Sequence, residues 1–190
     1  MDWKIEEKKT VLEAKVFTIE ELKVNRGAKA ATADRLWYRM DCVDWVNVLP
    51  ITIDNRALLI RQPRVGSFTS VLETPGGMLD QGEERDPMLA AVRELEEETG
   101  FTSQRVLPLG NFFANPALQT NRCHFFLALG CQPNPNRQHF PDANEEISPH
   151  LVPVDELGDL VKYGRIDHAF AALCIQLAMP FLAATKDSSD

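Results

Sequence analysis

The chain has 190 residues, 44% apolar and 25% charged, a composition that suits one globular domain with a short arm and excludes wholesale disorder. Its 20 basic and 28 acidic residues leave a net charge of −8, the wrong sign for a duplex nucleic-acid binder. No apolar run is long enough to predict a membrane span, and the charged start Met1–Glu7 reads unlike a secretory leader. Four cysteines without CxxC spacing (Cys42, Cys123, Cys131, Cys174) predict reduced thiols in a cytoplasm.

Residues 1–42 are expected to form a strand arm. Val11, Leu12, Val16, Phe17, Ile19, Leu22 and Val24 alternate loosely, Gly27–Asp34 is a small polar loop, and Leu36–Asp41 is a strand. The main domain, residues 43–184, opens with the β-branched strand Trp45–Ile53, which turns at Asp54-Asn55 into Ala57–Arg61. Gln62–Ser67, holding Pro63 and Gly66, predicts a loop; Thr69–Thr74 is a strand broken by Pro75-Gly76-Gly77. A helix follows with clear ends: Asp86 as N-cap, Pro87 in the first turn, Gly100 just past the end. Its Met88, Ala91, Val92 and Leu95 form an apolar stripe facing a core. Strands are expected at Val106–Asn111, Cys123–Leu129 and Leu151–Val154, with a Pro/Asn-rich loop over Gln132–Asn144. Val154–Tyr163 and Asp167–Ala184 read as helices, Pro180 kinking or ending the second, and residues 185–190 as a disordered tail. Without regular βαβ alternation, the order points to an α/β/α or α+β sandwich with a mixed sheet and not to a doubly wound parallel one.

Between Asp80 and Glu98 eight acids stand against two bases, a net −6 that is three quarters of the charge of the whole chain. Glu94, Glu97 and Glu98 share one helix face. Like charges there repel by a few tenths of a kcal/mol per pair, roughly, and more when sheltered; a divalent cation removes that penalty. Mg²⁺ takes hard oxygen ligands, needs one or two carboxylates, and accepts substrate phosphates and water for the rest. The glycines of Thr74-Pro75-Gly76-Gly77-Met78-Leu79-Asp80-Gln81-Gly82-Glu83 allow close backbone approach, and the Gly76 carbonyl is positioned in sequence to add a ligand.

Gly77, Glu83 and Arg93-Glu94-Leu95-Glu96-Glu97-Glu98-Thr99-Gly100-Phe101 together resemble the Nudix box, G-x5-E-x7-R-E-U-x-E-E-x-G-U with U a bulky apolar residue. The one departure is the spacer: nine residues separate Glu83 from Arg93 where the pattern has seven, which lengthens the loop before Asp86. The resemblance implies a Nudix α/β/α sandwich and Mg²⁺- or Mn²⁺-dependent hydrolysis of a nucleoside diphosphate linked to another group. It implies Glu94, Glu97 and Glu98 as metal ligands with the Gly76 carbonyl, and Arg93 as an organiser of the loop.

Leu59-Ile60-Arg61-Gln62-Pro63-Arg64, Leu72-Glu73-Thr74-Pro75-Gly76-Gly77, Pro116 and Gly164-Arg165-Ile166-Asp167-His168-Ala169 are similar to segments of ADP-ribose and nucleoside-diphosphate-sugar pyrophosphatases. That likeness implies a nucleoside diphosphate sugar substrate, a nucleoside monophosphate and a sugar phosphate as products, and a homodimer exchanging its N-terminal arms. It moves Arg61 and Arg64 from solvated surface residues towards diphosphate clamps, and Glu73 towards support of the site. Asn115–Arg122 departs from the subgroup, carrying amides where an acid is expected; Gln119 and Asn121 either contact sugar hydroxyls or a base edge, or belong to a polar turn. The base has several candidates: Glu145, Asp142, Glu146 or Glu97, with Ala143 where one relative carries its base. His124, His139, His150 and His168 have no ligand spacing, and Trp3, Phe17, Trp37 and Tyr38 are read as packing residues before nucleobase stackers. Two other functions stay open: a non-catalytic Nudix-fold sensor of nucleotide sugars, and a pyrophosphatase for a dinucleotide coenzyme.

Overall fold

The computed structural model describes residues 3–27, 36–141 and 145–186. Most of the loop read at Gly27–Asp34, the candidates Asp142 and Ala143, and the tail after Lys186 lie outside the described residues. The chain divides into two compact units, Met1–Asp44 with Phe112–Arg122, and Trp45–Asn111 with Cys123–Asp190.

The first unit holds an antiparallel sheet of β1 (Lys4–Glu13), β2 (Phe17–Asn25) and β3 (Leu36–Cys42) in that order. β1 starts six residues before the expected strand. Its early part lacks an apolar pattern but is held by cross-strand charge, with Lys23 on Glu7 at 3.0 Å and Lys8 on Glu20 at 2.6 Å. Glu20 is buried between Lys8 and Arg39, whose Nε lies 2.7 Å away. The turn Ala114–Asn121 is stitched to β3: Met40 N donates to Leu118 O, and Thr120 N to Met40 O.

The second unit is built on a mixed sheet of β4 (Trp45–Thr52), β5 (Arg56–Arg64), β6 (Thr69–Glu73), β7 (Phe101–Thr102), β8 (Arg105–Phe113), β9 (Arg122–Pro133) and β10 (Ser148–Pro153). The order is β10-β5-β4-β9-β7, with β6 also on β5 and β8 on β9; β4 and β9 run parallel. Three α-helices are described: α1 (Pro87–Thr99), α2 (Leu157–Lys162) and α3 (Ala169–Lys186). Because strand side chains alternate, β4 and β9 serve two cores. Val46, Val48, Phe126 and Ala128 pack with Ala90, Ala91 and Leu95 of α1. Leu49, Ile51, Cys123, Phe125 and Leu127 pack on the other side with Leu157 of α2 and Ala171, Cys174 and Ile175 of α3. The result is a sheet between two helical layers.

A one-residue bulge at Gly130 (φ +66°) lies between the pairs Ile51–Leu129 and Thr52–Cys131. It shifts the alternation, so Cys131 joins the α1 core where an unbroken strand would send it to the other.

Several expectations need correction. Gln62-Pro63-Arg64 is strand and not loop, paired with Val71, Ser70 and Thr69; Pro63, which has no N–H to give, is tolerated there. The turn is instead at Val65–Phe68, where Phe68 takes a positive φ of 53°. Ala90, and not Val92, completes the buried stripe of α1. Pro180 does not end α3, which runs on to Lys186. The four cysteines are free thiols, three of them buried. No helix among the described residues is long and apolar enough to cross a membrane.

Candidate active site

The sequence positions α1 through its two ends. Asp86 Oδ1 accepts from Met88 N at 3.2 Å, Pro87 starts the helix, and Gly100, at φ 74°, donates its N–H to Glu96 O at 2.8 Å. Ahead of this cap, at the start of the lengthened spacer, lies a 3₁₀ turn, Glu83–Arg85.

The loop Pro75–Gly77 runs beside β4, Val48 N bonding to Pro75 O and Val46 N to Gly77 O, both at 2.9 Å. Between them Gly76 N–H points the other way and donates to Glu98 Oε2 at 2.8 Å. A Cβ on Gly76 would collide with the backbone Val46 O, and one on Gly77 would force the Glu94 carboxylate to move.

Arg93 organises the cluster. Its Nε and Nη2 each lie 3.1 Å from an oxygen of Glu83, its Nη1 lies 2.8 Å from both Glu94 Oε1 and Glu97 Oε2, and its Nη2 donates to Met78 O at 2.9 Å. Glu83 therefore faces the arginine, its Oε2 also accepting from Asp80 N at 2.7 Å. As the side chains stand, no group of three or more histidine, cysteine, aspartate or glutamate side chains among the described residues is placed to hold a metal ion, and Glu94 and Glu97 are both bound by Arg93.

The electrostatics show what this cluster lacks. Glu94 and Glu98 are buried and Glu97 half-buried. Burial, partly offset by Arg93 and reinforced by the charge of Glu97, pushes Glu94 up to about 7. Burial and the neighbouring Glu94 carry Glu98 well above the ordinary carboxylate range, and burial raises Glu97. Burial opposes the charge on Arg93 too, but Glu83, Glu94 and Glu97 outweigh it and hold the guanidinium protonated. Arg93 is shared among Glu83, Glu94 and Glu97, while Glu98 feels the charge of Arg64, and carboxylates held above their ordinary range by burial offer the hard oxygens that suit Mg²⁺ or Mn²⁺.

Nearby, a cavity of about 500 Å³ is lined by Arg61, Pro63, Ser70, Glu145, Glu146, Ile147 and Ser148. Glu145 is exposed and close enough for its charge to act on Glu94. Arg61 Nη1 donates to Ser70 O at 3.3 Å, and Arg64 Nε to Glu73 Oε1 at 2.8 Å. The second unit thus brings together Gly76, Glu94, Glu97, Glu98, Arg61, Arg64 and Glu145. Pro116, Gln119 and Asn121 belong to the first unit. Gln119 N donates to Asn115 O at 2.7 Å and its Nε2 lies 3.8 Å from Met40 Sδ. Asn121 is 1% exposed, and among the described residues neither its side-chain Nδ2 nor its Oδ1 has a hydrogen-bond partner.

Two features escape sequence reading. Glu96 occupies the box position open to any residue, yet it is buried and its Oε1 accepts from Asn134 Nδ2 at 2.8 Å and Gln138 N at 2.7 Å. Arg137 joins it, donating to Glu97 O at 2.6 Å, so residues 134–139 are fastened to the end of α1. His168 contacts Glu73 across a long stretch of sequence, which spacing alone does not reveal.

The NUDIX domain description matches residues 44–172, well over half of the chain. The chain belongs to the Nudix family, and with that it is an enzyme of the pyrophosphohydrolase class. It is 30% identical over 131 residues to the ADP-ribose pyrophosphatase of Bacillus subtilis (strain 168), covering 69% of each chain, and equally to the methanol dehydrogenase activator of Bacillus methanolicus. It is 27% identical over 130 residues to the ADP-ribose pyrophosphatase of Escherichia coli (strain K12), covering 65% of this chain and 61% of that one. A crystal structure of an ADP compounds hydrolase superposes with a TM-score of 0.79 at 22% identity, covering 97% of this chain and 96% of the other, which shows the shared fold.

Proposed function

We propose that this enzyme cleaves the diphosphate of ADP-ribose, or of a closely related nucleoside diphosphate sugar, to a nucleoside monophosphate and a sugar phosphate. The observation that carries this reading is the sheltered Glu94, Glu97 and Glu98 face, held above the ordinary carboxylate range by burial and lined by the Gly76 backbone. The names of the Bacillus subtilis and Escherichia coli relatives support the substrate class.

Glu94, Glu97, Glu98 and the Gly76 carbonyl would hold Mg²⁺ or Mn²⁺. When bound, such an ion neutralises phosphate oxygens and lowers the pKa of a coordinated water. Arg93 holds Glu94 and Glu97 in place from behind. Arg61 and Arg64 grip the diphosphate, Arg64 using the terminal nitrogens that its bond to Glu73 leaves over. Glu145 accepts the proton of the attacking water on its carboxylate, since Glu97 is already engaged by Arg93. Pro116, Gln119 and Asn121 recognise sugar hydroxyls or a base edge. A homodimer formed through the arm, residues 1–42, belongs to the same proposal; every residue of β1 is exposed, Ile5, Val11 and Leu12 among them. Incubation with ADP-ribose, other nucleoside diphosphate sugars and dinucleotide coenzymes in Mg²⁺ tests the reading by product analysis. AMP and ribose 5-phosphate from ADP-ribose support it. A ligand that binds and is recovered intact points to a sensor, and preferential cleavage of a dinucleotide points to a coenzyme pyrophosphatase.

A further inference from the structure

Glu73, at the end of β6, is 0% exposed, and a buried carboxylate is tolerated only when its oxygens are paired. One oxygen accepts from Arg64 Nε of β5 at 2.8 Å; the other lies 3.0 Å from His168 Nδ1, off the line of a well-aligned hydrogen bond. One oxygen of Glu73 is thus bonded to Arg64, and the other is in close contact with the His168 ring. His168 stands immediately before α3, its carbonyl accepting from Ala172 N, and its ring packs edge-on to Phe170 at 5.6 Å. The imidazole is therefore held by a helix end and an aromatic ring, independently of the hairpin that carries Arg64 and Glu73. The hairpin tip Val65–Phe68 is exposed, and the bond from Arg64 Nε to Glu73 ties the arginine to a buried side chain that also touches His168. Through its Nε, Arg64 is tied at the elbow of the guanidinium, and among the described residues Nη1 and Nη2 have no hydrogen bond. That geometry presents two parallel N–H groups, the fork that suits a phosphate.

We infer that His168 is a positioning residue for substrate: acting through Glu73, it fixes the guanidinium of Arg64 for the diphosphate. This rests on the reading of Arg64 as a diphosphate clamp. The test is steady-state kinetics on ADP-ribose with Mg²⁺. His168→Ala and His168→Leu, the latter keeping contact with Phe170 without a donor, are expected to raise KM ~5- to 10-fold and to move kcat less than about twofold. His168→Asn, whose Nδ2 sits where Nδ1 does, restores KM to within about twofold of wild type. In the Arg64→Ala background, His168→Leu adds no further rise, because the residue it positions is gone. Wild-type KM in His168→Leu, or full multiplication of the two effects in the double variant, overturns the inference while leaving the clamp intact. Wild-type KM in Arg64→Ala removes the clamp reading itself and the inference with it.

Discussion

At the scale of single residues, the site depends on absences as much as on charges. Gly77 has no side chain because the Glu94 carboxylate occupies that space. Gly77→Ala is expected to displace Glu94 and lower kcat at least ~10²-fold, a loss of roughly 3 kcal/mol in transition-state stabilisation. A Gly77→Ala enzyme with wild-type kcat would contradict that placement. Glu98 gives a sharper contrast between function and stability. Its carboxylate is buried beside Glu94 and resists ionisation, so the charged form is a burden on the metal-free fold. Glu98→Gln keeps an oxygen for Gly76 N–H but removes that burden and the anionic donor. Turnover should fall by ~10²- to 10³-fold, while the metal-free melting temperature at pH 8 stays level or rises. A variant that loses both together would mean that Glu98 is structural.

At the scale of elements, α1 is where sequence reading reaches furthest. Asp86, Pro87 and Gly100 mark its ends by local chemistry, and the i, i+3, i+4 spacing puts the three glutamates on one side. Asp86→Ala should cost about 1 kcal/mol and Leu95→Ala about 2–5 kcal/mol in chemical denaturation, since Leu95 lies wholly within the α1 core. Near-wild-type stability for Leu95→Ala would mean that α1 is not clamped onto the sheet. Reading fails where the decisive partner is distant. Gln62–Arg64 looked like a loop because Pro63 and Gly66 dominate the local pattern, but pairing with β6 overrides it. The charged start of β1 shows no apolar alternation, because its order comes from cross-strand partners such as Glu20. The carboxylate face was legible in the sequence; the groups that brace it, Glu96 against Asn134 and Gln138 and Glu73 against His168, were not, since neither pair follows a fixed spacing.

At the scale of the whole molecule, the unpaid charge of the site links stability to pH and to metal. An acid with a raised folded pKa leaves stability unchanged while both states are protonated. It then lowers stability as pH climbs from the unfolded carboxylate value of about 4.3. For Glu94 that loss continues until its folded value of about 7 and levels off above it. The metal-free protein should therefore melt at progressively lower temperature between those limits. Mg²⁺, which needs the ionised carboxylates, should raise the melting temperature more at pH 8 than at pH 5.5. Equal shifts at both values would detach the cation from this cluster. The most direct test of the account is ³¹P NMR of ADP-ribose incubated with Mg²⁺ and either wild-type enzyme or Glu98→Gln. The account predicts that the wild type replaces the diphosphate resonances with those of two phosphomonoesters while Glu98→Gln leaves them almost untouched. Equal conversion by both proteins would contradict it.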